Sequence, residues 1–155
     1  MAEARFEKRI FIQTTPQAAY NELSNPVNYL GLQPLLTSVD NVQHHTDEDG
    51  QTVYTYSAVE AFRFLGLIPY NNRIHARMTL TRPNEEIQTE VDSPGGVRLY
   101  GRFVFEPQDG GVLVRDIIRI QMVWFLRWYV VSQAEAAQET LLTNLKYRLE
   151  AYEEM

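Results

Sequence analysis

Two carboxylic acids sit where the period-two alternation of extended chain gives them apolar company. Val114, Ile118, Ile120 and Met122 share a side with Asp116, opposite Arg115, Ile117, Arg119 and Gln121. Tyr54, Tyr56, Ala58 and Phe62 share a side with Glu60, opposite Val53, Thr55, Ser57, Val59 and Ala61. In the first run the set with Asp116 is the better inner face. In the second the aromatic set is favoured as inward, with the reverse phase as the alternative. A carboxylate among apolar side chains must be paired, hydrogen-bonded or protonated, because a bare buried charge costs too much. Such a group can anchor a ligand hydroxyl or amine, or serve in an acid/base pair of raised pKa. The competing account is a bulge that reverses one strand's phase, or a tyrosine hydroxyl or arginine that satisfies the acid near a rim.

Other chemistries lack their residues. The chain has no cysteine, which excludes a disulfide framework, a thiolate metal site and a cysteine nucleophile together. His44 and His45 precede Asp47, Glu48 and Asp49, but nothing completes a zinc site and the EF-hand spacing is absent, so the segment is expected to be a solvated turn without metal. No phosphate-binding loop, dinucleotide fingerprint or G-x-S-x-G nucleophile elbow occurs, and no cofactor is implied. Fourteen basic against twenty acidic residues leave a net charge of −6, opposite in sign to that of most nucleic-acid binders.

The elements that must position the acids are legible in outline. Length, 155 residues, predicts one domain, 1–155. A strand is expected over 5–13, then a helix started by Thr15-Pro16 and stopped at Asn25-Pro26, and a second irregular helical piece over 27–36, broken by Gly31 and Pro34. Period-two texture follows, with strands over about 38–45, 52–62, 72–81, 86–92, 97–106 and 112–122, separated by turn sequences such as Ser93-Pro94-Gly95-Gly96. Ile74, Ala76, Met78 and Leu80 form one inner face, and Val97, Leu99, Gly101, Phe103 and Phe105 another, while His75 faces solvent. The tail carries Leu126, Val130, Ala134, Ala137, Leu141, Leu145, Leu149 and Tyr152 at helical spacing. About 29 helical residues would cross a whole sheet. The N-terminus does not read as a signal peptide, the most apolar stretch, Met122 to Val131, is too short for a membrane span and interrupted by Arg127, and a cytoplasmic location is expected.

An antiparallel seven-stranded sheet with one apolar face has to be covered, and the terminal helix is the only element long enough. A twisted sheet curling around a helix cannot touch it everywhere, so a cavity between them is expected. The order of strand, Thr-Pro helix start, Asn-Pro break, meander and a final helix ending Leu145-Lys146-Tyr147-Arg148-Leu149-Glu150 resembles the START-like, or SRPBCC, superfamily. The resemblance covers nearly the whole chain, from Phe6 to about Glu150, and it is architectural. It implies the α+β helix-grip fold and a deep cavity for lipids, polyketides or other hydrophobic molecules. The superfamily includes birch-allergen-like proteins and polyketide cyclases, and it has no single catalytic signature to carry over.

Expected ligand contacts are Tyr54, Tyr56, Glu60, Phe62, Met78, Leu99, Phe103, Asp116, Ile118, Trp124, Val130 and Ala134. The apolar stretch over 62–70, including Phe64, Leu65, Gly66 and Leu67, is expected to be a loop that gates the cavity or docks on a membrane or partner, unless it folds back into the core. Trp124, Phe125, Trp128 and Tyr129 open the long helix and cannot all face one core, so some should line the entrance. The leading expectation is a carrier or sensor that sequesters a hydrophobic small molecule. The first alternative is a cyclase or dehydratase in which Asp116, Glu60, Tyr54 and Tyr56 orient the substrate and move protons. A lipid-contacting quinone chaperone is the second. A homodimer through the apolar rim is a further possibility.

Overall fold

The computed structural model describes residues 1–64 and 67–153. Strand β1 (Ala2–Ile12) is followed by helix α1 (Pro16–Leu23) and a 3-10 turn (Pro26–Tyr29). Six strands follow: β2 (Leu36–Thr46), β3 (Thr52–Phe64), β4 (Ile68–Arg82), β5 (Glu86–Ser93), β6 (Val97–Gln108) and β7 (Gly111–Met122). A second 3-10 turn (Trp124–Leu126) leads into helix α2 (Arg127–Glu153). The strands form one antiparallel sheet in the order β1-β7-β6-β5-β4-β3-β2, so the first strand closes against the last. This is the expected α+β helix-grip architecture.

Local chemistry explains the helical joints. The Thr15 side chain accepts a hydrogen bond from the Ala18 N–H at 3.0 Å while Pro16 fills a position whose N–H would be unpaired. The expected second helical piece over 27–36 shrinks to the four-residue 3-10 turn. Asn25 caps it by accepting from the Val27 N–H at 3.2 Å, and Gly31 then adopts φ +85°, which ends it. The turn is held down by α2. Arg148 donates from Nη1 to Glu22 Oε1 at 2.9 Å and to the Asn28 carbonyl at 2.7 Å, and from Nη2 to the Leu30 carbonyl at 3.1 Å.

Most of the stretch over 62–70 that is described is strand rather than loop. Strand β3 runs through Phe64 and β4 begins at Ile68, with Phe62 opposite Tyr70 and Phe64 opposite Ile68. Alternating bulky side chains in both arms favour a pleated ladder over an irregular excursion. The side chain of Phe64 and residues Leu65 and Gly66 lie outside the described residues.

Helix α2 divides the interior into two regimes. Its C-terminal half buries Leu141, Leu142, Leu145 and Leu149 against Ile12, Tyr20, Leu23, Phe105 and Val112, each fully buried leucine contributing about 1.5–3 kcal/mol. In its N-terminal half Val130, Val131 and Ala134 are only partly buried, against Ile118, Ile120 and Met122. The helix therefore grips the sheet tightly at one end and stands off it at the other.

Candidate functional site

The stand-off encloses a cavity of about 380 Å³, within the range of roughly 300–1,000 Å³ typical of small-molecule pockets. Its floor is the inner face of β3 to β7 and its roof is the first half of α2. Alternation puts Tyr56, Ala58, Glu60 and Phe62 of β3 on the floor together with Leu99, Gly101 and Phe103 of β6 and Asp116, Ile118 and Ile120 of β7. Above them, Leu126 comes from the 3-10 turn before α2, and Tyr129, Val130, Gln133, Ala134, Ala137 and Gln138 recur at helical spacing on α2. Tyr29 and Gln33 come from the segment after α1.

Of the expected contacts, Tyr56, Glu60, Phe62, Leu99, Phe103, Asp116, Ile118, Val130 and Ala134 line this space. Tyr54 and Met78 do not. They are cross-strand partners on the inner face, but at the end of the sheet that α1 and the second half of α2 fill. Met78 is fully buried in that core, and the Tyr54 ring lies 5.8 Å from that of His44. Trp124 is also misplaced by the sequence reading. It belongs to the 3-10 turn before α2, is 74% exposed, and packs edge-to-face on Phe125 outside the cavity. The helix begins at Arg127, later than expected, and its phase turns Trp128 outward as well. Leu126 and Tyr129 take the inward positions instead.

Asp116 is the most constrained side chain in the cavity wall. It is 1% exposed, and its Oδ2 has no hydrogen-bond partner. Its cross-strand neighbours are Phe103 on β6 and Lys8 on β1, both on the same face. The Lys8 ammonium turns to α2 instead, where it lies 3.9 Å from Glu135 and 4.0 Å from Glu139. Burial pushes the Asp116 carboxyl up to about 8, so the neutral acid is the resting form at neutral pH.

Glu60 is differently placed. Gln33 Nε2 donates to its Oε2 at 2.6 Å, and Gln33 Oε1 in turn accepts from the Leu35 and Leu36 N–H groups. Asn72, its cross-strand partner, donates from Nδ2 to Ser93 Oγ at 2.7 Å. Burial raises the Glu60 pKa, and hydrogen bonds from Gln33 and Asn72 partly offset the rise. The tyrosines stay protonated: burial raises Tyr29 well above the usual phenol range and also raises Tyr56, with nearby Glu60 adding to the latter. Tyr29 Oη donates to the Leu23 carbonyl at 2.7 Å.

At the rim, Tyr70 Oη and Tyr129 Oη lie 3.3 Å apart, joining the β3–β4 hairpin to the start of α2. The Tyr70 ring stacks on Phe62 at 5.4 Å. Leu67, Ile68, Trp124, Phe125 and Trp128 are exposed around this end. Sequence reasoning overlooked Tyr70 and Asn72, although both follow from Ile74 by continuing its alternation toward the hairpin. Gln33 left no periodic signal because it lies in an irregular segment. The arrangement can hold an apolar molecule against one neutral acid and one hydrogen-bonded acid. Among the described lining residues there is no lysine, arginine, histidine or serine–base pair. Nor do the described residues form a group of three or more metal-ligating side chains. No helix among the described residues is long and apolar enough to cross a membrane.

The chain matches no protein-family model and no curated protein. Solved structures do resemble it. The di-domain ARO/CYC StfQ from the steffimycin biosynthetic pathway aligns over 99% of this chain at a TM-score of 0.70 and 12% identity. This chain spans 52% of the length of StfQ, about half of that di-domain protein. A START superfamily protein from Mycobacterium smegmatis matches 96% of this chain and 98% of its own at a TM-score of 0.71 and 15% identity. The Zhui aromatase/cyclase of a Streptomyces species matches 96% and 94% at a TM-score of 0.70 and 12% identity. At these identities the likeness shows the fold: the chain has the START-like fold.

Proposed function

We propose that the chain binds a hydrophobic small molecule between the sheet and α2, as a carrier or sensor. The observation that carries this reading is the cavity of about 380 Å³ at the end of the interior where the helix stands off the sheet, walled mainly by apolar side chains. Apolar surface left unfilled in a folded protein forfeits packing, and an occupant restores it. On this reading the β3–β4 hairpin tip carrying Leu67 is the gate, and the Tyr70–Tyr129 contact is the latch that opens for exchange. The test is native mass spectrometry of protein purified from its own host, with extraction of whatever travels with it. A stoichiometric apolar molecule, lost from an Ala134→Phe variant that fills the void, supports the proposal. Wild type and variant that are both empty and both fail to take up added apolar probes refute it.

A second reading, a cyclase or dehydratase acting on a polyketide-like chain, is favoured by one specific observation. A buried acid held neutral can donate a proton to a molecule lying in a mainly apolar cavity. Two of the similar structures are also named as ARO/CYC or aromatase/cyclase proteins. Turnover of the extracted molecule, abolished in Asp116→Asn while binding persists, would establish it.

A further inference from the structure

The cavity wall is selective in its charge as well as its shape. Its charge-bearing side chains are Glu60 and Asp116, and no cationic side chain lines it among the described residues. A carboxylate or phosphate entering the cavity would give up its hydration without meeting a cation, and would face two acids. Anionic amphiphiles, free fatty acids included, are therefore poor occupants. The wall's hydrogen-bonding groups narrow the choice further. Glu60 receives the Gln33 amide, the Tyr29 hydroxyl is engaged by the Leu23 carbonyl, and Asn72 donates to Ser93. Tyr56, Thr89, Gln133 and Gln138 add further polar groups to the wall, but the buried side-chain oxygen left without a hydrogen-bond partner among the described residues is Asp116 Oδ2.

An ammonium brings three donors. Beside Asp116 it would find the apolar Phe103 and Ile118 and the Tyr29 oxygen, which donates to the Leu23 carbonyl and can accept one bond, so an ammonium's three donors would not all be met by Asp116 Oδ2 and Tyr29. A hydroxyl brings one donor and two lone pairs, so it matches a carboxyl in either protonation state. We propose that Asp116 forms a subsite for an uncharged hydroxyl, alcohol or phenol, on an otherwise apolar ligand, and that the cavity discriminates against carboxylates. The inference rests on the cavity being the binding site proposed above.

The test uses four naphthalene probes of one shape: naphthalene, 2-naphthol, 2-naphthoate and 2-naphthylmethylammonium, titrated into the full chain at neutral pH by ligand-observed NMR, with Ala134→Phe as the blocked-cavity control. Wild type should bind 2-naphthol about tenfold more tightly than naphthalene, as expected for one hydrogen bond to a group otherwise left unmet, and 2-naphthoate more weakly than either. In Asp116→Leu the preference for 2-naphthol over naphthalene should vanish while naphthalene binding persists. In Asp116→Asn, which keeps hydrogen-bonding capacity, part of the preference should remain. If Asp116→Leu does not fold, the four-probe ranking on wild type decides alone. Equal affinity for naphthalene and 2-naphthol overturns the subsite but leaves the binding reading standing. So does tightest binding of the ammonium, which would make Asp116 a counter-ion, or of the carboxylate. Failure of all four probes, or binding unchanged in Ala134→Phe, overturns the binding reading itself.

Discussion

Replacing Asp116 by asparagine should change how the stability of the protein depends on pH, in a direction and size that follow from the burial of this one group. The side chain keeps its shape, and only the titration is removed. In the unfolded chain the carboxyl ionises near the ordinary aspartate value of 3.8, whereas in the folded protein it holds its proton up to about 8. Between those values the native state binds one proton more than the unfolded state, so this residue lowers stability as pH rises, by about 1.4 kcal/mol per pH unit. The contribution is lost progressively from about pH 4 to about pH 8 and then levels off. Relative to wild type, Asp116→Asn should gain on the order of 3 kcal/mol between pH 5 and pH 7. The gain should be nearly constant above pH 9. Any fixed cost of burying the amide cancels, because it does not vary with pH. Urea unfolding of both proteins at pH 5, 6, 7, 8 and 9 measures the difference. The charged and titratable groups around Asp116 are Lys8 on β1, Tyr29 after α1, Tyr56 and Glu60 on β3, and Glu135 and Glu139 on α2. All are common to both proteins. Lys8 is the group that could spoil the result, since it lies opposite Asp116 in register. A stability difference flat from pH 5 to pH 8 would refute the reasoning, because it would mean that Asp116 is ionised in the native state and that Lys8 leaves the α2 glutamates to pair with it.

Three further predictions concern the scaffold. Leu145→Ala, at a fully buried position where α2 meets the sheet, should cost about 2–5 kcal/mol in urea unfolding with an unchanged denaturant slope, and a loss below 1 kcal/mol would contradict tight packing there. Arg148→Leu removes three hydrogen bonds from a half-buried guanidinium and should cost roughly 1.5–3 kcal/mol. Its amide exchange should rise first around the 3-10 turn at Pro26–Tyr29, and uniform exchange would argue against a local clamp. Glu86 is 5% exposed on β5 and accepts from Thr81 Oγ1 at 2.8 Å, Gln88 Nε2 at 2.9 Å and Arg82 Nη2 at 3.0 Å. Burial alone would raise its pKa, but these donors outweigh it and hold the carboxyl below its ordinary value of 4.5. Its contribution is thus present above pH 4.5 and lost as pH falls through the lower folded value. Glu86→Gln should be less stable than wild type at pH 7, with the gap closing in acid, and a gap that widens on acidification would contradict the assignment.

The faces of the strands were legible in the sequence because alternation is a local property of extended chain. Val114, Asp116 and Ile118 point the same way whatever lies above them, and the observed burial of β7 follows that alternation from Val112 to Met122. Helical phase was less legible at the start of α2, because Trp124, Phe125 and Leu126 belong to a 3-10 turn whose geometry breaks the spacing. The β3–β4 pairing was hidden for a related reason: its arms alternate, but the sequence between them, Leu65-Gly66-Leu67, lacks the polar residues that mark the other turns. As sequence, the adjacent Gly110 and Gly111 carry the same turn signal. Only Gly110 has a positive φ, whereas at Gly111 a side chain would collide with the backbone of Ile12 and the ring of Phe11, contacts that exist only once β1 has closed the sheet. The position of the void is a fact of the same long-range kind. Tyr54 and Tyr56 share a face and both pack against the core, yet only Tyr56 also lines the cavity, because α1 reaches only one end of the sheet. What the sequence does betray is the energetic anomaly. An aspartate in the apolar stripe of a closing strand lowers the stability of the empty protein at neutral pH, and valine in its place would pack without that penalty. On the proposed reading, a residue that weakens the scaffold there has its rationale in the ligand it would meet, which is why Asp116 is the group on which the proposed function is best tested.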